Sequence, residues 1–193
     1  TYFIINYYII NNYSCSFLLF NVFMIKIIAG KYKGRKLLQV PKTNVRPTQA
    51  VVRKSMFDIL GNLSNFDVLD LYSGFGTLGI ESISRGANSL VSVEKDKFIY
   101  KVLTENLNII CSEDSILTYN MNVVQFLKFN NKKFDLIVAD PPYKSDVYSY
   151  LHNEGKKILN SDGILCIEMK KKEIDDQSVR VRNFGRTQLT FWR

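Results

Sequence analysis

From residue 24 onward, the hydrophobic and polar positions fall into blocks of two different periods. Short apolar runs at 66–71, 89–94, 134–139 and 164–168 have the length of buried strands. Helical spacing recurs between and around them, over 77–85, 95–110, 122–129 and 146–159, and a weaker strand is expected at 115–119. Strands alternating with helices predict right-handed crossovers and a parallel sheet covered on both faces, an α/β fold. Ahead of this block, apolar stretches flank Gly30-Lys31-Tyr32-Lys33-Gly34, which predicts a short hairpin with a basic loop. After Arg46-Pro47-Thr48, the positions Val51, Val52, Met56, Ile59 and Leu60 recur at helical spacing, and Gly61 is placed to end that helix. The tail predicts two strands turning at Asn183-Phe184-Gly185, which adds one antiparallel strand to a mostly parallel sheet. No internal repeat is present.

Residues 1–23 depart from this pattern. They carry no charge and hold 8 of the chain's 25 aromatics, but Asn6, Asn11, Asn12 and Asn21 interrupt the apolar run. No basic flank or small-residue cleavage site accompanies it. The expectation is that Met24 is the natural start and that 1–23 is an apolar leader outside the native fold. A single membrane anchor is the alternative.

At 193 residues with 46% hydrophobic and 23% charged positions, the chain has the composition of one globular domain. Cys15, Cys111 and Cys166 lie far apart with no CxxC pair, so neither a disulfide framework nor a zinc-ligand spacing is available. With His152 as the only histidine, histidine-centred metal sites and triads are disfavoured. The chemistry must rest on carboxylates, backbone groups, aromatics or a cofactor. The net charge of +8 is uneven: residues 1–57 hold nine Lys or Arg and no acid, while the remainder is near neutral. A basic segment on a neutral body points to a polyanion, of which nucleic acid is the usual one. Lys31, Lys33, Arg35, Lys36 and Arg53 are the candidates for phosphate contact.

The run VLDLYSGFGTLGIE places Gly74-x-Gly76-x-x-Gly79 between a strand and a helix, and Glu94 closes the next strand 20 residues after Gly74. This matches a dinucleotide fingerprint, in which glycines admit a ligand close to the backbone and the acid accepts ribose hydroxyls. A tight turn without a ligand is the plainer reading. Asp70, at the tip of the first strand, would repel a diphosphate. It suits a cationic ligand such as the amino group or sulfonium of S-adenosylmethionine.

The strand FDLIVAD ends in Asp140-Pro141-Pro142-Tyr143. Two prolines stiffen the backbone and remove two N–H donors, so the tip offers acceptors only: the Asp140 carboxylate and the Pro141 carbonyl. Such a tip suits a nucleobase amino group, with Tyr143 as a face on which an extruded base can stack. Asp-Pro-Pro also occurs in ordinary turns. Transfer of a methyl group to that nitrogen would need no metal.

Taken together, IIAGKYKGRKL, RPT, LDLYSGFGTLGIESISRGA and ADPPY resemble the bacterial 16S ribosomal RNA guanine-N2 methyltransferases of the RsmD type, from Met24 to Arg193. The resemblance implies a Rossmann-like, seven-stranded class I methyltransferase fold over 46–193, preceded by the basic hairpin at 24–45. It implies S-adenosylmethionine as donor and a guanine of 16S rRNA, within the small subunit or its precursor, as target. By position, Asp70, Gly74 and Gly76 would line the methionine part of the cofactor, Glu94 its ribose and Asn122 its adenine; Asp140, Pro141 and Tyr143 would hold the guanine. A cytoplasmic monomer without metal or membrane is expected. Ala50, Lys54 and Met169 depart from the family's usual residues, which bears on how RNA docks and not on the reaction class.

The rival readings are a DNA adenine-N6 methyltransferase, a non-catalytic RNA-binding assembly factor and a nicotinamide oxidoreductase. Only 66 positions separate Gly74 from Asp140, too few for a base-reading module beside the sheet. The remaining residues get plainer readings. His152 belongs on a helix surface, Lys170–Lys172 form a solvated charge run, Cys111 and Cys166 are unreactive thiols, and Phe98, Val102 and Leu103 pack in the core.

Overall fold

The computed structural model describes residues 25–40, 48–142, 147–174, 176 and 178–193. The leader, Met24, the Arg46-Pro47 pair and Tyr143 lie outside these residues, as does the expected boundary between 45 and 46. Residues 25–40 form the predicted hairpin, with a single antiparallel bridge between Lys26 and Lys36. Then follow α1 (Ala50–Leu60), β1 (Asp67–Leu71), α2 (Thr77–Ser84), β2 (Ser89–Val93), α3 (Lys97–Cys111), β3 (Ser115–Tyr119) and α4 (Val123–Phe129). The chain continues through β4 (Phe134–Ala139), α5 (Tyr148–Lys157), β5 (Leu159–Lys170), β6 (Arg180–Phe184) and β7 (Thr187–Trp192).

The sheet order is β3-β2-β1-β4-β5-β7-β6. β1 to β5 are mutually parallel, and β7 runs antiparallel to both of its neighbours. The predicted α/β architecture with one reversed strand is the one observed. Successive strand residues serve opposite faces. Val68, Leu90, Leu136 and Val138 pack with α1, α2, α3 and the hairpin residues Ile27 and Leu37. Leu69, Leu71, Val91, Val93 and Ile137 pack with α4 and α5 on the other face. Burying both faces explains why these strands read as unbroken apolar runs.

Three details differ from expectation. β5 begins at Leu159, not 164, because Asn160–Gly163 bulge out of register between Phe134 and Leu136. That polar, turn-like tetrapeptide hides the strand's first residue in the sequence. Phe98 is 49% exposed and not in the core, although Leu103 is fully buried; it lies in the first turn of α3, capped by the Asp96 side chain. His152 is not purely a surface residue, since its ring lies 4.9 Å from that of Trp192 and its Nε2 is buried. Among the described residues, no helix is long and apolar enough to cross a membrane.

Candidate active site

The strand order reverses between β1 and β4, so the connections leaving their carboxyl ends diverge and open a cleft there. On the β1 side, Tyr72 (φ 61°), Gly74 (φ 55°) and Gly76 (φ 88°) turn the chain sharply into α2. The left-handed backbone is free for the two glycines and costs energy for the tyrosine. All three fingerprint glycines have their N–H groups satisfied internally. Gly74 donates to Glu94 Oε2 (3.0 Å), Gly76 to the Ser73 carbonyl (2.8 Å) and Gly79 to Asp70 Oδ2 (3.0 Å). None of these three amides remains for a diphosphate, which weighs against a nicotinamide site.

Asp70 is only 1% exposed. Burial pushes its carboxyl up to about 8, with the charges of Asp140 and Glu94 adding to the shift and the Gly79 N–H opposing it. Among the described residues it has no cation beside it. A buried acid in this state is ready to ionise against an incoming positive charge. Glu94, also buried, accepts from Gly74 with one oxygen and from the Asp96 N–H with the other (2.8 Å). A carboxylate has about four lone-pair sites, so both oxygens keep room for hydroxyl donors. Asn122 stands at the carboxyl edge beyond β3, but its Oδ1 caps α4 by accepting from Val124 (2.8 Å).

On the β4 side, Leu71 pairs with Ala139, so Asp140 follows at the level of the β1 loop. Thr48 Oγ1 donates to Asp140 Oδ2 at 2.7 Å, which ties the start of α1 to the acceptor tip. Pro141 is buried and Pro142 exposed. The structure thus brings Asp70, Gly74, Gly76, Glu94 and Asp140 to one edge of the sheet.

The predicted phosphate contacts sit elsewhere. Arg53 is a correction: it is 2% exposed, donates through Nη2 to the Lys26 carbonyl (2.6 Å) and faces Glu81 with Nε at 3.8 Å. Position 53 falls on the apolar face of α1 with Val52 and Met56, so its charge is spent inside the protein. The hairpin turn packs on Ser84, at the end of α2, and therefore at the opposite edge of the sheet from Asp140. Lys31 is paired with Asp114, which also accepts from the Tyr32 hydroxyl (2.6 Å), and the Arg35 guanidinium donates to the Ile109 carbonyl (2.6 Å). Lys33 and Lys36 are exposed.

Sequence reasoning missed four residues that hold this arrangement. Thr48 is one, although RPT had marked its neighbourhood. Fully buried Glu81 accepts from the backbone N–H groups of Ile28 (2.8 Å) and Ala29 (3.0 Å) and from Arg85 Nε (2.8 Å). Its i,i+4 spacing to Arg85 in GIESISRGA was the available signal. Buried Asn106 joins Leu38 of the hairpin to the Phe75 carbonyl of the glycine loop (2.9 Å). Ser73 links the β1 and β2 tips by donating to the Asp70 carbonyl and accepting from Val93.

Comparison with known proteins agrees with this fold. Residues 25–193 match the family described as Conserved hypothetical protein 95. A curated relative from Buchnera aphidicola, named Ribosomal RNA small subunit methyltransferase D, is 35% identical over 161 residues, covering 77% of this chain and 80% of that protein. The Escherichia coli protein of the same name is 31% identical over 145 residues, covering 75% of this chain and 71% of its own length. Among solved structures, Escherichia coli yhhF superposes with a TM-score of 0.76 at 25% identity, over 87% of this chain and 96% of that one.

Proposed function

The chain belongs to the Conserved hypothetical protein 95 family, and we propose that it transfers a methyl group from S-adenosylmethionine to the exocyclic N2 of a guanine in small-subunit ribosomal RNA. The observation that carries this reading is the acceptor tip Asp140-Pro141, set beside the buried Asp70 carboxyl at the strand-order reversal. The names of the relatives support rRNA methylation as the reaction class.

The residues fit the donor. Asp70 would receive the ammonium group, Glu94 the ribose hydroxyls, and Gly74 and Gly76 would let the ligand approach the backbone. Asn122 would lie near the adenine, using what its capping role leaves. When bound, S-adenosylmethionine supplies a methyl carbon made electrophilic by positive sulfur.

The chain's own part is alignment and charge. A guanine amino group is a poor nucleophile because its lone pair is delocalised into the ring. Accepting its two N–H bonds at the Asp140 carboxylate and the Pro141 carbonyl favours a pyramidal nitrogen with the lone pair turned outward. The Asp140 charge then stabilises the positive charge that develops on nitrogen as its new bond forms. Thr48 holds Asp140 in place from α1. Tyr143, next to the tip in sequence, is assigned the stacking face. Of the hairpin cations, Lys33 and Lys36 are best placed to meet phosphate, with Lys31 and Arg35 partly committed to Asp114 and Ile109.

The test is transfer of label from S-adenosylmethionine to undermodified small subunits, to free ribosomal RNA and to DNA. The expected product is N2-methylguanine in small-subunit RNA, lost in Asp140→Ala. Label in DNA adenine, or transfer to no acceptor, overturns the reading.

A further inference from the structure

The sheet order says from which side the substrate strand can approach. β1 and β2, which carry Asp70 and Glu94, lie on one side of β4; β5, β7 and β6 lie on the other. A cofactor held at the β1 and β2 tips covers the first side. On the second side, the end of β5 and the β6–β7 turn line an open, shallow cleft of about 1050 Å³. Lys170, Lys171, Lys172 and Arg186 line it, with Glu173 the one acid among the described lining residues. All four cations are exposed, and none has an ion-pair partner among the described residues. Lys31, Lys54 and Lys157, by contrast, are each neutralised by a carboxylate.

The frame beneath these charges is fixed. Lys171 N–H donates to the Arg186 carbonyl (3.0 Å), and Lys172 N–H donates to Gln188 Oε1 (3.0 Å). Gln188, which also lines the cleft, is 1% exposed and keeps a buried Nε2 donor without a partner among the described residues. The cleft lies at the same edge of the sheet as the acceptor tip. Ile167 pairs with Ala139, so β5 runs on to Lys170 past the end of β4, on the strand next to the one that leads into Asp140. Four like charges on one rigid rim repel one another, an arrangement that a polyanion would relieve.

We infer that this cleft binds the backbone phosphates of the RNA strand flanking the target guanine, on the side of Asp140 away from the cofactor. The inference rests on the RNA methyl transfer proposed above and adds where that RNA is gripped. It reverses the plainer reading of Lys170–Lys172 as a solvated charge run.

The test is the triple variant Lys170→Gln, Lys171→Gln, Arg186→Gln, with a Lys170→Arg, Lys171→Arg variant as the charge-preserving control. Lys172 is left intact because its Nζ lies over the Tyr148 ring, 5.6 Å from the centroid. Filter binding of small-subunit RNA across salt should show a log K against log salt slope reduced by about 2–3, since each lost phosphate contact removes about 0.7–0.9. KM for RNA should rise tenfold or more, while kcat and S-adenosylhomocysteine affinity stay within twofold. The arginine control should behave as the unmodified protein. An unchanged slope and KM in the triple variant, with the unmodified protein active on RNA, overturns the cleft assignment alone. An unmodified protein that methylates no RNA overturns the functional reading, and this inference with it.

Discussion

If Asp70 receives the cofactor as proposed, it links cofactor binding to pH. With its carboxyl pushed up to about 8 by burial, about half is ionised at pH 8 and about 1% at pH 6. If the carboxylate receives the cofactor's ammonium group, binding must expel the remaining proton. Affinity for S-adenosylhomocysteine, which keeps that ammonium, should then fall about 50-fold from pH 8 to pH 6, roughly 2.3 kcal/mol. Titration calorimetry at pH 7 in two buffers of different ionisation heat should count about 0.9 proton released per ligand. Asp70→Asn should bind weakly at every pH and lose the dependence. The same carboxyl fixes a sign for stability. Its folded value lies above the ordinary 3.8, so its contribution is complete below about 4 and is lost as pH rises through about 8. The ligand-free protein should therefore melt lower at pH 8 than at pH 6. An affinity that stays flat from pH 6 to 8, with heats independent of buffer, refutes the linkage.

Thr48→Val removes a hydrogen bond to a charged group, worth about 1.5–3 kcal/mol. Steady-state kinetics should show kcat reduced tenfold or more with cofactor affinity within twofold; an unchanged kcat excludes a positioning role for Thr48. Glu81→Gln leaves Arg53 and Arg85 without their shared carboxylate. Breaking a buried pair costs about 3–5 kcal/mol, which at roughly 2–4 °C per kcal/mol for this size lowers Tm by about 6–20 °C. A drop below about 3 °C by calorimetry would show that the cluster contributes little.

The fold was legible because β1, β2 and β4 bury both faces, so apolar runs of strand length stand out between stretches of helical spacing. The meeting of Asp70, the glycine loop, Glu94 and Asp140 at one edge of the sheet was legible as well, since each of them closes or follows a strand that reads as an apolar run. Residues whose role depends on distant partners were not. Arg53 looks like a surface cation until Lys26 and Glu81 meet it. Glu81 and Asn106 read as ordinary helical polar residues. How far Lys170 reaches past the end of β4 is set by the β4–β5 register, and the bulge at Asn160–Gly163 puts that register beyond reach of a count along the chain.

The way the N-terminal hairpin is fastened also dictates when it can fasten. Its bonds to Glu81, Ser84, Asn106, Ile109 and Asp114 span 52 to 83 residues. No partner within its own stretch of chain can hold it against the sheet. The hairpin thus waits for α2 and α3 to be made, and it docks after loops of considerable entropy have closed. Until then nine basic side chains precede the chain's first acid, Asp58. A segment made before its anchors is secured late, and it should be early to detach when the protein is strained.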